Sequence, residues 1–217
     1  TSWGCSTRMI GGLIMVHSDD NGLVLPPKIA PRQVVIVPIG KEDEIVALAR
    51  EINKKLNDNN IVSFIDESEK SPGFKFAEHE VNGIPVRIEI GMRDLQNGKL
   101  CLARRDTRER IFVENDGNIV EKIQKLLDDI QTNLYNTALE RNNKKTYKAY
   151  NLEEVEKIMN SQPGFIKAMW CGDEACELKM KEIRGTKSRC IVENEEPISD
   201  KCVVCGKKAK HLVVWGI

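Results

Sequence analysis

Four cysteines near the end of the chain, arranged in two short pairs, constrain the fold more than any other sequence feature. Cys171 pairs with Cys176, and Cys202 pairs with Cys205. Two loops that each donate two thiolates can hold a tetrahedral zinc ion without a large apolar core. A closed site of four thiolates has no open position for a reacting water, so the pattern favours a structural metal. The alternative is that these cysteines are ordinary small buried hydrophobic residues.

The remaining cysteines and the apolar runs indicate the environment of the protein. The chain has seven cysteines, an odd number without the dense framework of a small secreted scaffold, which favours a reducing cytoplasm. Cys190 is left as a spare, and His211 is the nearest alternative ligand. No apolar run approaches the roughly 18 residues that span a bilayer. We therefore expect a cytoplasmic protein with no membrane partner.

The charge balance limits the ways in which the chain could bind nucleic acid. Lysine and arginine number 33, as do aspartate and glutamate, so the net charge is zero. A neutral chain lacks the long-range attraction of a basic protein for a polyanion, and any such binding must rest on specific groups. The length of 217 residues allows one or two domains, and the start at Thr1 predicts a piece of a longer protein.

The first half of the chain predicts a helix, a connector and a mixed sheet. A helix is expected to open at Ser6-Thr7-Arg8 and to stop at residues 19–22, before a proline-rich connector that reaches Pro31. Strand patterns at 34–37 and 61–65 flank a helical pattern at 42–57, which predicts a βαβ unit.

The pair Asn97-Gly98 lies between strand patterns at 86–90 and 99–103. This dipeptide between two strands predicts a tight hairpin, so an antiparallel pair should join the parallel one in a mixed sheet.

The second half predicts helices followed by a strand that leads into the first cysteine pair. A long amphipathic helix should begin near Asn118 and reach about Leu139. The polar, basic segment 141–148 then predicts a hinge. A second helix is expected near 152–159, and residues 165–170 have a strand pattern.

Three sets of motifs, in order along nearly the whole chain, resemble the prolyl-tRNA synthetases. The segment TSWGCSTRMIG at 1–11, with its continuation to Pro31, resembles motif 3 of that family. The two cysteine pairs resemble the zinc-binding C-terminal extension of its archaeal and eukaryotic-like form. Further segments of the chain resemble the class II anticodon-binding domain in its prolyl version, and these are Ser71–Phe76, Glu80, 83–91, Asp94 and 104–106.

The resemblance implies an α/β fold in three parts. Residues 1–31 would be the last strand and helix of a class II catalytic domain. Residues 32–142 would be a mixed-sheet anticodon-binding domain. Residues 143–217 would be a small zinc-binding α/β domain.

Roles for individual residues are also implied by the resemblance. Arg8 would contact ATP, which acts with magnesium, and Ser6 and Trp3 would line the ATP and proline pocket. Unstacked bases require aromatic platforms and hydrogen-bonding groups. The candidates for binding the anticodon are Phe76, Glu80, Arg87, Arg93 and Asp94. The alternatives are that Phe76 belongs to the core and that Glu80 and Arg87 form a surface ion pair of little energetic consequence.

The implied function is that of a proline–tRNA ligase. The whole enzyme would be a homodimer that activates proline with ATP to prolyl-adenylate and transfers it to the proline tRNA. Motifs 1 and 2 of class II synthetases are not recognisable here, so this part alone should be inactive. The alternatives are a noncatalytic tRNA-binding module and the anticodon-binding part of another class IIa synthetase, such as the threonyl or histidyl enzyme.

Overall fold

The computed structural model describes residues 4–162 and 164–217, and the chain divides into two compact units, Thr1–Asn136 and Thr137–Ile217. Within the described residues, no helix is both long enough and apolar enough to cross a membrane.

The first unit begins with one helix and a short hairpin. Helix α1 spans Arg8–Val16 and is followed by β1 (Ser18–Asp19) and β2 (Gly22–Leu23), which pair antiparallel. The predicted helix and its end before the 19–22 turn are confirmed.

The main sheet of the first unit has five strands in the spatial order β4-β3-β5-β6-β7. Strand β3 runs parallel to both β4 and β5, whereas β5, β6 and β7 follow one another antiparallel. The predicted βαβ unit and mixed sheet are confirmed. The strands are β3 (Val34–Ile39), β4 (Ser63–Ile65), β5 (Val86–Gly91), β6 (Lys99–Arg104) and β7 (Arg110–Glu114).

Two of the helices that accompany this sheet cover one of its faces. The helices are α2 (Asp43–Asp58), α3 (Pro72–Val81), α4 (Met92–Gln96) and α5 (Ile119–Lys144). Helices α2 and α5 present apolar stripes at helical spacing, such as Ile45, Ala49, Ile52 and Leu56 in α2, and these join the main core. Full burial of one such isoleucine or leucine stabilises the fold by about 2 kcal/mol.

Helix α3 contributes to the opposite face of the sheet. Val35 and Val37 point away from the main core because side chains alternate along a strand. They form a smaller cluster with Ile84, against which Phe64 and Phe76 pack.

The hairpin prediction at Asn97-Gly98 is wrong in its turn, although β5 and β6 pair antiparallel as expected. Helix α4 connects the two strands, and Asn97 and Gly98 end that helix. The amide of Gly98 donates to the carbonyl of Leu95 at 2.9 Å, and Gly98 has φ of 66°. A glycine with positive φ is favoured both in hairpin turns and just after helices, so the dipeptide alone did not separate the two cases.

The second unit contains a four-stranded sheet of spatial order β10-β11-β9-β8, in which only the β8–β9 pair is parallel. Trp215 is fully buried in its core, with Met159, Ile166 and Met180. The predicted helix near 152–159 and the strand at 165–170 are confirmed. The elements are β8 (Thr146–Lys148), α6 (Leu152–Ser161), β9 (Phe165–Trp170), α7 (Glu174–Glu182), β10 (Lys187–Val192) and β11 (His211–Gly216).

The predicted hinge at 141–148 is wrong. Helix α5 continues to Lys144, and residues 146–148 form β8. Arginine and lysine are good helix formers, so polarity alone does not end a helix. Tyr147 and its neighbours then pair with β9, an interaction distant in sequence that local composition does not reveal.

Candidate nucleic-acid interface and metal centre

Polar and aromatic side chains lie in two cross-strand rows on the face of the main sheet opposite α2 and α5. Arg87 of β5 is opposite Ala103 of β6, which is opposite Arg110 of β7. In the next row, Glu89 is opposite Cys101, which is opposite Phe112. We call this surface, with the side chains of Phe76 and Glu80 from α3, the open face.

A buried carboxylate organises the charges of the open face. Glu89 is only 3% exposed and forms an ion pair with Arg87 at 3.0 Å and a second one with Arg110. Arg87 also pairs with Glu80, with 3.2 Å between Nη1 and Oε1. Because Glu89 pairs with the guanidinium groups of both arginines, it fixes their orientation. Glu80 and Arg110 remain accessible to solvent.

Phe76 carries an arginine on its ring. The guanidinium carbon of Arg87 lies 4.1 Å from the ring centroid, and that of Arg110 lies at 5.9 Å. The ring is half-buried: one portion packs against the smaller cluster and stabilises it, and the rest is accessible to solvent. A guanidinium stacked on an aromatic ring offers a flat surface of the kind on which an unstacked base can lie.

Helix α3 is held in place by a buried polar cluster. His79 Nε2 lies 2.7 Å from Oδ2 of Asp66, and Lys75 donates to the carbonyl oxygen of Asp66 at 2.8 Å. Burial alone would raise the pKa of Asp66, but hydrogen bonds from Ser68 and His79 and the charge of Lys75 outweigh it and lower this pKa to about 2. The cluster thus anchors the helix that carries Phe76 and Glu80.

Arg93 and Asp94 lie in the short helix α4, beyond the end of β5. Arg93 is exposed and Asp94 is half-buried. Asp94 lies close enough to Cys101 to contribute to the rise of its pKa to about 11, which is caused mainly by burial. Among the described residues, no side-chain hydrogen bond or ion pair joins Arg93 or Asp94 to Arg87, so they border the open face without entering its ion-pair network.

Sequence reasoning missed Arg110 and Phe112, which occupy the outer strand of the open face. Phe112 is 56% exposed, so much of its ring faces solvent. The run Arg110–Glu114 contains three consecutive β-branched or aromatic residues, Ile111, Phe112 and Val113, a strand signal that could have identified β7. Glu89 is buried beside the two arginines of the open face, so it has a structural part there.

Two of the N-terminal candidates, Ser6 and Arg8, lie at the start of α1. Ser6 and Arg8 are both exposed, and the amide of Arg8 donates to the hydroxyl of Ser6 at 3.4 Å. Trp3 lies outside the described residues.

The four paired cysteines come together in the second unit. Their sulfur atoms all lie within 4.8 Å of one another. Cys171 follows β9, Cys176 lies in the first turn of α7, and Cys202 and Cys205 belong to the turn before β11. In that turn the amide of Gly206, which has φ of 69°, donates to the carbonyl of Cys202 at 2.9 Å.

The other candidate ligands lie elsewhere. Cys190 is exposed on β10, and His211 begins β11 with its ring 6.1 Å from that of Trp170. Neither belongs to the group of four thiols.

The chemistry of the donor set fits a cation that binds thiolates. Burial and the neighbouring thiols raise the pKa of Cys176 well above its usual range, and burial raises the pKa of Cys171. A hydrogen bond from the amide of Lys207 lowers the pKa of Cys205 to about 7. Four thiolates crowded together repel one another, so a soft dication is the partner that would stabilise all four, and its binding would release protons.

The five-stranded mixed sheet lies within residues 33–126, which match the family model described as "Anticodon binding domain" and form such a domain. Residues 152–216 match a second model, described as "Prolyl-tRNA synthetase, C-terminal". The chain belongs to the prolyl-tRNA synthetase family and corresponds to a C-terminal portion of such a protein.

Curated relatives agree with this assignment over the whole chain. The chain is 50% identical to a proline–tRNA ligase of Clostridium novyi, 51% identical to proline–tRNA ligase 2 of Bacillus cereus and 49% identical to a proline–tRNA ligase of Ruminiclostridium cellulolyticum. Each similarity covers 100% of this chain and 45% of the relative. The chain therefore spans less than half the length of these relatives.

Proposed function

We propose that this chain is the tRNA-recognition portion of a proline–tRNA ligase and that its open face binds the anticodon of the proline tRNA. The observation that carries the proposal is the stack of Arg87 on Phe76 beside Glu80, held in position by the buried Glu89. It places an aromatic platform, a donor fork and an acceptor side by side, with the side chain of Arg87 11% exposed and that of Glu80 38% exposed.

Each group has a defined part in this proposal. Guanine presents the O6 and N7 acceptors, which suit the donors of Arg87, and its Watson–Crick edge carries donors that suit the carboxylate of Glu80. Phe76 supports the guanidinium of Arg87, and this stack provides the flat surface on which a base can lie. We propose that Arg93 and Asp94, at the border of the open face, contact the flanking nucleotides.

The test is binding of the 217-residue chain to a proline tRNA transcript, with substitutions on the open face. Glu80→Ala and Arg87→Ala should each weaken binding about tenfold or more at roughly 0.15 M ionic strength, because each removes a polar contact to a base. The matched control is Lys54→Ala on helix α2, because α2 covers the opposite face of the sheet. The ammonium group of Lys54 pairs with Asp58 at the surface. If Glu80→Ala and Arg87→Ala bound as tightly as Lys54→Ala, the open face would not be the binding surface.

For the second unit we propose a structural zinc ion held by Cys171, Cys176, Cys202 and Cys205. The convergence of four thiols supports this proposal. Elemental analysis should find one zinc per chain, and Cys176→Ser should lose it, whereas Cys190→Ser should retain it. Equal zinc content in the two variants would contradict the ligand assignment.

For the complete enzyme we propose the activity of a proline–tRNA ligase. Proline and ATP, with magnesium, would give prolyl-adenylate, and the prolyl group would pass to the proline tRNA in a cytoplasmic homodimer. In residues 1–31, Arg8 would contact the ATP phosphates, and Ser6 and Trp3 would line the ATP and proline pocket. The domain formed by residues 32–142 would bind the anticodon. The domain formed by residues 143–217 would hold the zinc ion. The present chain alone should show no ATP–pyrophosphate exchange, and Arg8→Ala should abolish that exchange in the longer protein.

A further inference from the structure

A single buried arginine connects the N-terminal hairpin to the end of helix α3. Arg105 is 4% exposed, and its Nε donates to the carbonyl oxygen of Glu80 at 2.9 Å. Its Nη1 and Nη2 donate to the two carboxylate oxygens of Asp19 at 2.8 Å and 2.7 Å. One guanidinium therefore contacts both the β1–β2 hairpin and the residue that carries a proposed anticodon-binding carboxylate.

The Asp19 end of this connection is fixed by further bonds. The amide of Asn21 donates to Asp19 Oδ1 at 2.9 Å, and Arg108 donates to Oδ2 at 3.0 Å. The hydrogen bond with Arg105 is the main reason that the pKa of Asp19 lies well below its usual range, so the carboxylate is charged at neutral pH. Planar, bidentate pairs of this kind hold one relative orientation of the two groups.

Two glycines bring the hairpin and the end of α3 into direct backbone contact. A Cβ added to Gly22 would lie 2.4 Å from Cα of Val81, and a Cβ added to Gly83 would lie 2.5 Å from Cβ of Leu23. Both glycines have positive φ, which other residues adopt at a cost. The amide of Leu25 also donates to the carbonyl of Gly83 at 3.3 Å. A shift of the hairpin must therefore move the segment that follows Glu80.

We propose that Arg105 is a positioning residue that links the β1–β2 hairpin to the end of α3 and thereby fixes the position of Glu80. The contact between Asp19 and Arg105 then determines the affinity of the open face for the anticodon. This inference rests on the proposed function of the open face. It assigns to the N-terminal hairpin, which carries no anticodon-binding group itself, a part in selecting the tRNA.

The test compares binding of two transcripts by the 217-residue chain. One is the proline tRNA transcript, and the other is the same transcript with its anticodon guanines replaced by cytosine. Asp19→Ala should reduce the ratio of the two affinities about tenfold, because Arg105 loses its bidentate partner and Glu80 its fixed position. The matched control is Asp20→Ala, an exposed neighbour in the same hairpin with the same loss of charge, which should change the ratio by less than about twofold.

A double-substitution cycle separates positioning from a general loss of stability. If Asp19 acts through Glu80, Asp19→Ala should have no further effect on the ratio in a Glu80→Ala background. Hydrogen exchange at Val81 and Gly83 should be faster in Asp19→Ala than in Asp20→Ala. Should Asp19→Ala fail to fold, Asp19→Asn keeps the shape and one acceptor, and it should reduce the ratio in the same direction by a smaller factor.

The outcomes distinguish this inference from the proposed function. A wild-type chain that binds both transcripts equally would overturn the proposed function of the open face. A wild-type chain that discriminates, and loses discrimination with Arg87→Ala but not with Asp19→Ala or Asp19→Asn, would overturn the positioning role alone. Additive effects of Asp19→Ala and Glu80→Ala would also overturn it.

Discussion

The buried carboxylate of Glu89 offers a quantitative test of how the open face is held together. In Glu89→Gln the side chain keeps its size but loses its charge, so Arg87 and Arg110 face each other without an anion between them. Breaking a fully buried ion pair costs about 3–5 kcal/mol. Arg110 is half exposed and can return to water, and Arg87 keeps Glu80, so we expect a loss of about 2–3 kcal/mol in the free energy of unfolding of the first unit.

Hydrogen exchange is the suitable assay, because it reports each unit separately. The slowest amides of β5 and β6 should exchange roughly 30- to 150-fold faster in Glu89→Gln, the factor that corresponds to about 2–3 kcal/mol. The matched control is Glu114→Gln on β7, because the carboxylate of Glu114 is 66% exposed and lies 3.9 Å from Lys99. That variant should stay within about 0.5 kcal/mol of the wild type. Equal exchange rates in the two variants would refute the organising role of Glu89.

Three further predictions concern stability. Folding lowers the pKa of Asp66 from 3.8 to about 2, so the charged side chain contributes about 2 kcal/mol to the free energy of unfolding above pH 4. This contribution is lost as the pH falls through 2. In urea unfolding, the advantage of the wild type over Asp66→Asn should therefore shrink between pH 4 and pH 2. Trp215→Ala should destabilise the second unit by about 3–5 kcal/mol, measured by hydrogen exchange, whereas Ile217→Ala at an exposed site should have little effect. Chelation of zinc should unfold the second unit and leave exchange in β5 unchanged.

Features with a strong local signal were predictable from the sequence. The spacing of Cys171, Cys176, Cys202 and Cys205 predicted one cluster, which the structure shows, because short loops bring paired ligands together. The stripe from Ile45 to Leu56 predicted α2 for a similar reason, since helical periodicity is local.

Features that depend on distant partners were not predictable in the same way. The network of Arg87, Glu89 and Arg110 requires the register of three strands, and β7 was not recognised as one of them. The junction of Asp19 with Arg105 joins residues far apart in the chain, and nothing near either residue indicates the other. The polar composition of 141–148 predicted a hinge. Composition does not reveal that residues 146–148 pair with β9, a strand formed by a later part of the chain.

The preference of the 217-residue chain for the proline anticodon decides whether this chain recognises its tRNA through the open face. The affinity for the proline tRNA transcript is compared with that for the transcript whose anticodon guanines are replaced by cytosine, at roughly 0.15 M ionic strength. We expect the wild type to prefer the proline anticodon by at least about tenfold and Arg87→Ala to lose most of that preference. Equal affinity of the wild type for the two transcripts would show that the open face does not read the anticodon.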